Sequence, residues 1–189
     1  MAYSMVSVPK KSPNAGTGKG KKSFIVIFRW NDVATYERDE KGALVKAFAM
    51  KAGKKPVGVY ATTPTININH ASEGDKDARG FIHKVAFEHP GSSLEYDEFV
   101  GNNINEDLGA IVVNCDESAK IAGTPCTPLA ITKNESQDSK DGDKTSVEMS
   151  SELRGPVIGY IPKALIPATD NEEVNAILGL SAGGGEAGI

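Results

Sequence analysis

The chain contains few of the residues on which enzymes and disulfide-bonded secreted proteins depend. Its 189 residues include two cysteines, three histidines and one tryptophan, and only 6% of the residues are aromatic. Two cysteines are too few for a disulfide framework and, by themselves, for a structural zinc site. No apolar stretch reaches the roughly 18 residues of a membrane-spanning helix, so we expect no membrane partner. The formal net charge of -4 is too small to imply nucleic-acid binding by the chain as a whole.

The sequence also shows no pattern of residues that is typical of a catalytic, cofactor-binding or metal site. His70, His83 and His89 lack the spacing of helical metal ligands, and His83 shares its strand parity with apolar neighbours, which predicts a core or interface position. The glycine-rich segment 16–21 has its strand after it, not before it, which excludes a phosphate-binding loop. The carboxylates of 73–77 do not fit a calcium loop. We therefore expect a protein that is not an enzyme, binds no cofactor and acts through its surfaces.

The two cysteines lie beside or within expected strands, on either side of a turn-rich stretch. A disulfide between Cys115 and Cys126 is geometrically conceivable, but free cysteine is commonly buried as a small apolar residue. We favour two half-buried reduced thiols, which fits folding in a reducing cytoplasm. The N-terminal residues contain no apolar segment of the kind that a secretory signal carries, so no export is expected.

Short strands dominate the pattern from Ser23 to Pro162. The continuous apolar runs Phe24–Trp30 and Ala110–Val113 predict strands buried on both faces, whereas the strict alternation of Thr65–Asn69 predicts one wet face. Further strands are expected at 35–38, 44–50, 56–61, 81–87, 126–132, 145–149 and 156–161. Many short strands at this spacing are typical of a sandwich or a barrel.

Two short helices interrupt this pattern. Ser92 and Glu95 have capping-box spacing and predict a helix of about ten residues. Asp170 and Glu173 repeat the spacing and predict a terminal helix. The apolar stripe expected on the first helix consists of Leu94, Phe99 and Val100. The predicted fold is therefore mainly β, an antiparallel β-sandwich or barrel with one inserted short helix and a short C-terminal helix.

Composition divides the chain into three parts. Residues 1–22 are rich in lysine, glycine and serine and predict a flexible basic arm. Residues 23–169 form the sandwich or barrel, and residues 170–189 combine the short helix with a glycine-rich flexible tail. The basic residues of the arm that we assign to assembly are Lys10, Lys11, Lys19, Lys21 and Lys22.

Two charged segments between strands are further candidates for contact with other subunits. The loop 73–80 carries Asp75, Asp77 and Arg79, and is either a solvated loop or an electrostatic docking loop. The connection Lys133–Lys144 is entirely polar and should project from the fold. It is either a mobile loop or a hairpin that becomes ordered on a neighbouring subunit. Its acidic residues are Asp138, Asp141 and Asp143.

Several segments resemble the small structural proteins of tailed phages and prophages, particularly from Bacteroides-type hosts. They are Ser72–Gly80, Phe87–Gly91, Gly123–Leu129 and Arg154–Tyr160. The order of arm, strands, helix, long hairpin and closing strand over residues 24–162 is similar to that of phage tail tube proteins.

This resemblance implies a virion structural protein that assembles into hexameric rings, which stack into a tube. DNA would pass through the lumen as non-specific cargo, and other phage tail proteins would be partners. The implied location is the virion tail, after assembly in the cytoplasm of the bacterial host. A neutral or acidic lumen would avoid binding to phosphate, which the small net negative charge permits.

Three alternatives remain open. A head decoration or tail-completion protein would also assemble, but as trimers or sparse adaptors. A ligand-binding or enzymatic β-barrel would build its site from residues far apart in sequence. A single-strand nucleic-acid-binding barrel would need aromatic platforms in a basic groove, whereas the aromatic residues here are few and mostly at core parity.

Overall fold

The computed structural model describes residues 4–140 and 142–181 and confirms a mainly β, antiparallel, sandwich-like fold. Within these residues the strands are β1 (Lys21–Arg29), β2 (Val33–Arg38), β3 (Val45–Met50), β4 (Val57–Tyr60), β5 (Asn67–Glu73), β6 (Gly80–Pro90), β7 (Leu108–Asn114), β8 (Ala119–Ala122), β9 (Leu129–Ser139), β10 (Gly142–Ser151) and β11 (Gly159–Ile161). The α-helices are α1 (Leu94–Asn103) and α2 (Glu172–Leu178). Within the same residues, no helix has the length and apolar character needed to cross a bilayer.

A central sheet, in the order β4-β1-β7-β8-β11, is covered on both faces. In β1, Ile25 and Ile27 face one hydrophobic cluster, whereas Val26 and Phe28 face another. All four side chains are at most 3% exposed, and every residue of β7 is buried. A strand with two buried faces needs apolar residues at consecutive positions, which explains the continuous apolar runs.

A second sheet, in the order β9-β10-β6-β5, packs one face against the central sheet. Six of its residues are buried in the hydrophobic cluster that contains Ile25 and Ile27, namely Val85, Phe87, Leu129, Ile131, Val147 and Met149. The sheets meet where Leu108 of β7 pairs with Leu129 of β9. They meet again where the Thr62 N–H donates to the Glu88 carbonyl at 2.9 Å. We call the opposite, solvent-facing side of this second sheet the outer face.

The hairpin β2–β3 and helix α2 cover the other side of the central sheet. Aromatic rings pack edge-on there, and the residues that contribute them are Phe28, Trp30, Tyr36 and Phe48. Val174 and Leu178 of α2 are buried in the same cluster. Helix α2 is thus packed into the folded domain, although composition placed residues 170–189 outside it. The remainder of that predicted tail, 182–189, lies outside the described residues.

Helix α1 begins one residue later than its capping pattern predicted. Ser93 is the N-cap, and its Oγ accepts a hydrogen bond from the Tyr96 N–H at 3.2 Å. The predicted cap, Ser92, instead donates from Oγ to Asp143 Oδ2 at 2.7 Å. Tyr96 faces the core, whereas Leu94 is 70% exposed, so the predicted apolar stripe is wrong at Leu94.

Helix α2 shows the same displacement of one residue. Asn171 Oδ1, not the side chain of Asp170, accepts from the backbone N–H groups of Glu173 at 2.9 Å and Val174 at 3.2 Å. Gly179 ends the helix with a φ of 67°, a left-handed conformation that glycine adopts without strain. In both helices two cap-forming residues stand side by side, so the sequence pattern is ambiguous by one position.

The segment Lys133–Lys144, predicted as a polar connection, is instead the far end of a long β-hairpin. Strand β9 continues to Ser139 and β10 starts at Gly142, with Asp138 opposite Asp143. Most of this part of the hairpin is exposed, so its strands carry polar side chains where a core strand would carry apolar ones. Backbone pairing, which leaves little trace in side-chain pattern, holds it together.

The predicted arm also ends earlier than expected. Residues 4–20 are exposed and lie outside the strands, but β1 begins at Lys21. Lys21 pairs with Asn114 of β7, and the Cys115 N–H donates to the Gly20 carbonyl at 2.8 Å. Lys21 and Lys22 therefore belong to the central sheet, because backbone pairing with β7 extends past the apolar part of β1.

Candidate assembly surfaces

The outer face carries lysines and glutamates that neutralise one another. Three ion pairs lie on β6, β9 and β10, with N···O distances of 3.1 Å for Lys84–Glu148, 2.7 Å for Lys144–Glu88 and 3.0 Å for Lys133–Glu135. Exposed ion pairs contribute about 0–1 kcal/mol each, so their main effect here is to cancel charge. Asn67, Asn69 and Ala86 extend this neutral surface toward β5.

Strand β5 is one edge of the second sheet. Phe81 of β6 exchanges both backbone hydrogen bonds with Gly155, at 2.9 Å each, on the side away from β5. Since antiparallel ladders alternate, Ser72, which stands opposite Phe81, directs its backbone N–H and C=O away from the sheet. Within the described residues no strand pairs with this far side of β5.

Strand β9 is the opposite edge. The Gly91 N–H donates to the Asp143 carbonyl at 2.9 Å, so Asp143 of β10 directs its carbonyl away from β9. Its partner Asp138 therefore directs its backbone groups outward, and Ser136, two residues earlier, does the same. In the described part of the chain, β9 beyond Leu129 pairs with β10 alone. Such an edge is open to a further strand.

The far end of the β9–β10 hairpin is fixed to helix α1 and to Ser92, which precedes it. Asp143 Oδ2 accepts from Ser92 N–H at 2.9 Å and from Ser92 Oγ at 2.7 Å. The Tyr96 hydroxyl donates to Asn134 Oδ1 at 2.9 Å. Burial first, and the neighbouring charge of Asp97 second, raises the pKa of Tyr96 to about 12. Asp143 thus serves an internal contact, Asp138 is exposed, and Asp141 lies outside the described residues.

The charged loop 73–80 is a turn between β5 and β6. The Asp75 carbonyl accepts from the Ala78 N–H at 3.1 Å, and Asp77 has a left-handed φ of 70°. Arg154 Nη1 donates to the Ala78 carbonyl at 2.8 Å, which holds the turn against the residues after β10. The side chains of Asp75, Asp77 and Arg79 are exposed. They remain candidates for electrostatic docking.

Two of the five predicted lysines of the arm stay on its exposed part, and the others contact the domain. Lys10 and Lys11 are exposed, and in the described residues they make no ion pair. Lys19 Nζ lies 2.5 Å from Asp116 Oδ2. Hydrogen bonds from Lys19 first, and Ser118 second, lower the pKa of Asp116 to about 2.

Lys21 and Lys22 occupy the start of the central sheet. Lys22 Nζ donates to the Leu178 carbonyl of α2 at 3.0 Å, so its role is internal. Lys21 lines a cavity of about 230 Å³ together with Asn114, Lys120 and Tyr160. These two lysines are therefore poorer candidates for contact with other subunits than Lys10 and Lys11.

His83 is buried, as its strand parity predicted, and both nitrogens of its ring form hydrogen bonds within the domain. Its Nδ1 accepts from the Gly123 N–H at 2.9 Å, and its Nε2 donates to the Pro156 carbonyl at 2.6 Å. Burial above all, with the nearby charges of Arg38 and His70, lowers the pKa of His83. A neutral ring fits this site because protonated Nδ1 would face another donor.

Acidification is expected to destabilise the domain through His83. The pKa is lowered in the folded state, so the unfolded chain binds the proton first, and stability falls as the pH drops below about 6.5. The slope for one proton is at most about 1.4 kcal/mol per pH unit. Urea unfolding at pH 7.5 and 5.5 measures the change in the free energy of unfolding, with His83→Gln as the non-titrating control. An equal loss in both proteins would contradict this assignment.

The cysteines differ from their prediction. Cys115 and Cys126 are free thiols, and both are exposed, so the predicted half-burial is wrong. Each lies in a turn beside a strand, where the side chain faces solvent. In residues 4–140 and 142–181, no group of three or more histidine, cysteine or carboxylate side chains is arranged to hold a metal ion.

A surface that the sequence did not indicate is the groove between β4 and α1, which we call the β4 groove. Its volume is about 490 Å³, and the residues that supply most of its apolar lining are Phe24, Val57, Tyr60, Tyr96 and Phe99. They come from three separate stretches of chain. No local sequence pattern could have predicted that these residues form one groove. The apolar residues Met5, Val6 and Val8 in the otherwise polar arm were the only signal in the sequence that such a surface was needed.

Comparison of the chain with protein-family models, with curated proteins and with solved structures gives no match. The candidate surfaces therefore rest on the residues themselves.

Proposed function

We propose that this protein is a virion structural protein whose copies form rings that stack into a phage tail tube. The single observation that carries the proposal is the second sheet, which combines a charge-balanced outer face with an open edge on each side. The resemblance of several segments to phage tail proteins supports the same conclusion. The proposal assigns the protein no catalytic activity and no cofactor.

The two open edges supply a head-to-tail contact. If β5 of one copy lies beside β9 of the next, the outward backbone groups of the two edges, which include those of Ser72 on β5 and those of Ser136 and Asp138 on β9, become available to a new ladder. This contact joins different surfaces of the two copies, and repetition by a closing rotation forms a ring. The resemblance implies six copies, and the second sheets of these copies would then line the lumen.

The outer face suits a lumen through which DNA moves. A DNA duplex carries one negative charge per about 1.7 Å of its axis, so unpaired lysines would retain it. The lysines of the outer face are neutralised by glutamates at 2.7–3.1 Å. DNA would then pass as non-specific cargo, in a virion tail assembled in the host cytoplasm with other tail proteins.

Purified protein is expected to form rings of six copies and tubes of stacked rings. Negative-stain electron microscopy measures their shape, and mass photometry counts the copies. A strictly monomeric protein across concentration and ionic strength would refute the proposal. A trimer that forms no tube would instead favour a head decoration protein.

A further inference from the structure

The N-terminal arm carries apolar residues that the described part of the chain leaves exposed. Met5 is 91% exposed, Val6 66% and Val8 91%. An apolar side chain left in water forgoes the favourable free energy that its burial would provide. Three such residues within four positions, in a segment without turns, form a short extended strip that is suited to a groove.

The β4 groove also offers unpaired backbone groups with which an added strand could form hydrogen bonds. The Ala61 N–H donates to the Ser23 carbonyl at 2.8 Å, so by alternation Gly58 and Tyr60 direct their backbone groups away from β1. His89 Nδ1 donates to the Tyr60 carbonyl at 2.9 Å. Within the described residues this leaves the N–H and C=O of Gly58 and the N–H of Tyr60 for an added strand.

Internal contacts limit the length of this open edge. At one end the Asp170 N–H donates to the Pro56 carbonyl at 3.2 Å. At the other end the Thr62 N–H donates to the Glu88 carbonyl at 2.9 Å. The open part is therefore Val57–Tyr60, about 13 Å long at about 3.3 Å per residue. Met5–Val8 has the same length.

Charge is complementary along the same path. Lys10 and Lys11 follow the apolar strip directly after Pro9 and are exposed. Glu95 and Asp170 line the β4 groove beside its apolar residues. An arm lying in the groove would bring its lysines to one of these acidic residues, which favours docking of the basic arm.

The arm of the same chain is directed elsewhere. Lys19 pairs with Asp116 at 2.5 Å, and the Gly20 carbonyl accepts from the Cys115 N–H at 2.8 Å. Both partners follow β7, whereas β4 lies on the other side of β1. A second copy is therefore the occupant that the geometry favours.

We propose that Met5–Lys11 of one copy docks into the β4 groove of a second copy, with Met5–Val8 added as a short strand beside β4. This inference rests on the proposed function, because it assigns the contact that joins one ring to the next. The ring contact uses β5 and β9 of the second sheet, whereas the β4 groove is formed by β4 of the central sheet and by α1.

Charge reversal tests this contact. K10E/K11E and E95K/D170K should each lose tubes and retain rings, and the protein that carries all four substitutions should regain tubes. Removal of residues 1–8 should likewise leave single rings. Electron microscopy at fixed protein concentration gives the readout, with thermal unfolding as a check on the fold. Unchanged tubes in K10E/K11E would overturn the inference and leave the ring proposal intact, whereas absence of rings in the wild type would refute the proposed function.

Cross-linking identifies the occupant. In a C115S/C126S background, chains carrying Lys10→Cys are mixed with chains carrying Glu95→Cys and mildly oxidised. We expect a disulfide-linked pair of chains from the mixture, and a ladder of linked chains from the double variant K10C/E95C. A monomeric, internally bridged double variant would show that the arm occupies its own groove and would overturn the proposal, as would failure to cross-link.

Discussion

Replacement of Ser72 by proline is expected to abolish ring assembly while leaving the subunit folded. The Ser72 N–H points away from β6, so proline removes a donor that the subunit itself does not use, and its ring obstructs an incoming strand. We expect monomers at concentrations at which the wild type is fully assembled. The melting temperature should fall by less than about 4 °C, the change that corresponds to about 1 kcal/mol in a domain of this size. Ser72→Ala keeps the N–H and should assemble normally.

The same reasoning applies to Ser136 on the other edge, and the two variants together form a sharper test. Ser136→Pro alone should also be monomeric. A chain with Ser72→Pro retains an intact β9, and a chain with Ser136→Pro retains an intact β5. An equal mixture should therefore yield dimers with one chain of each kind that grow no further, measured by mass photometry. Rings from either variant alone, or monomers from the mixture, would contradict pairing of β5 with β9.

The central sheet was predictable because burial on both faces leaves a direct trace in sequence. Ile25–Phe28 and Ala110–Val113 are apolar at consecutive positions, and both are buried strands. The half-buried strand at Thr65–Asn69 was correct in kind but displaced, because Thr65 ends a 3-10 helix and β5 runs from Asn67 to Glu73. Its later residues are exposed, and backbone pairing with β6 holds them without an apolar pattern.

Two other elements could not be found in the sequence, one because it lies outside the core and one because it is short. The far half of the β9–β10 hairpin lies outside the core, so its polar residues resemble a loop in the sequence, although each of its strands pairs with the other. Strand β8, at Ala119–Ala122, is short and follows a turn closely, and it was not predicted. Side-chain periodicity reports burial, and strands that pair without burial escape it.

Of the candidate surfaces, the exposed charged residues could be predicted from the sequence, whereas the open edges and the groove could not. Lys10, Lys11 and Asp138 are exposed, as charged residues in polar segments usually are. Asp143 has the same local context but holds Ser92, a contact between residues far apart in sequence. The open edges and the β4 groove depend on which strands are neighbours. A single sequence does not fix that order, because many pairings satisfy the same apolar pattern.

The charge balance of the outer face leads to the second large effect. In E88Q/E148Q, Lys144 and Lys84 lose their partners at 2.7 Å and 3.1 Å, and each subunit gains two positive charges on this face. We expect assembled rings of this variant to bind DNA, whereas wild-type rings do not. Binding should weaken steeply with salt, since the affinity falls with log salt in proportion to the number of phosphates contacted.

The matched control removes the opposite charges from the same pairs. In K84M/K144M the glutamates stay unpaired, so rings of this variant should repel DNA and bind none at any salt concentration. Fluorescence anisotropy of a labelled duplex at low and moderate salt measures both variants, with mass photometry confirming equal ring assembly. Equal behaviour of the two variants would place the outer face away from the lumen. Binding confined to E88Q/E148Q would mean that neutralised lysines are what lets DNA slide through the ring.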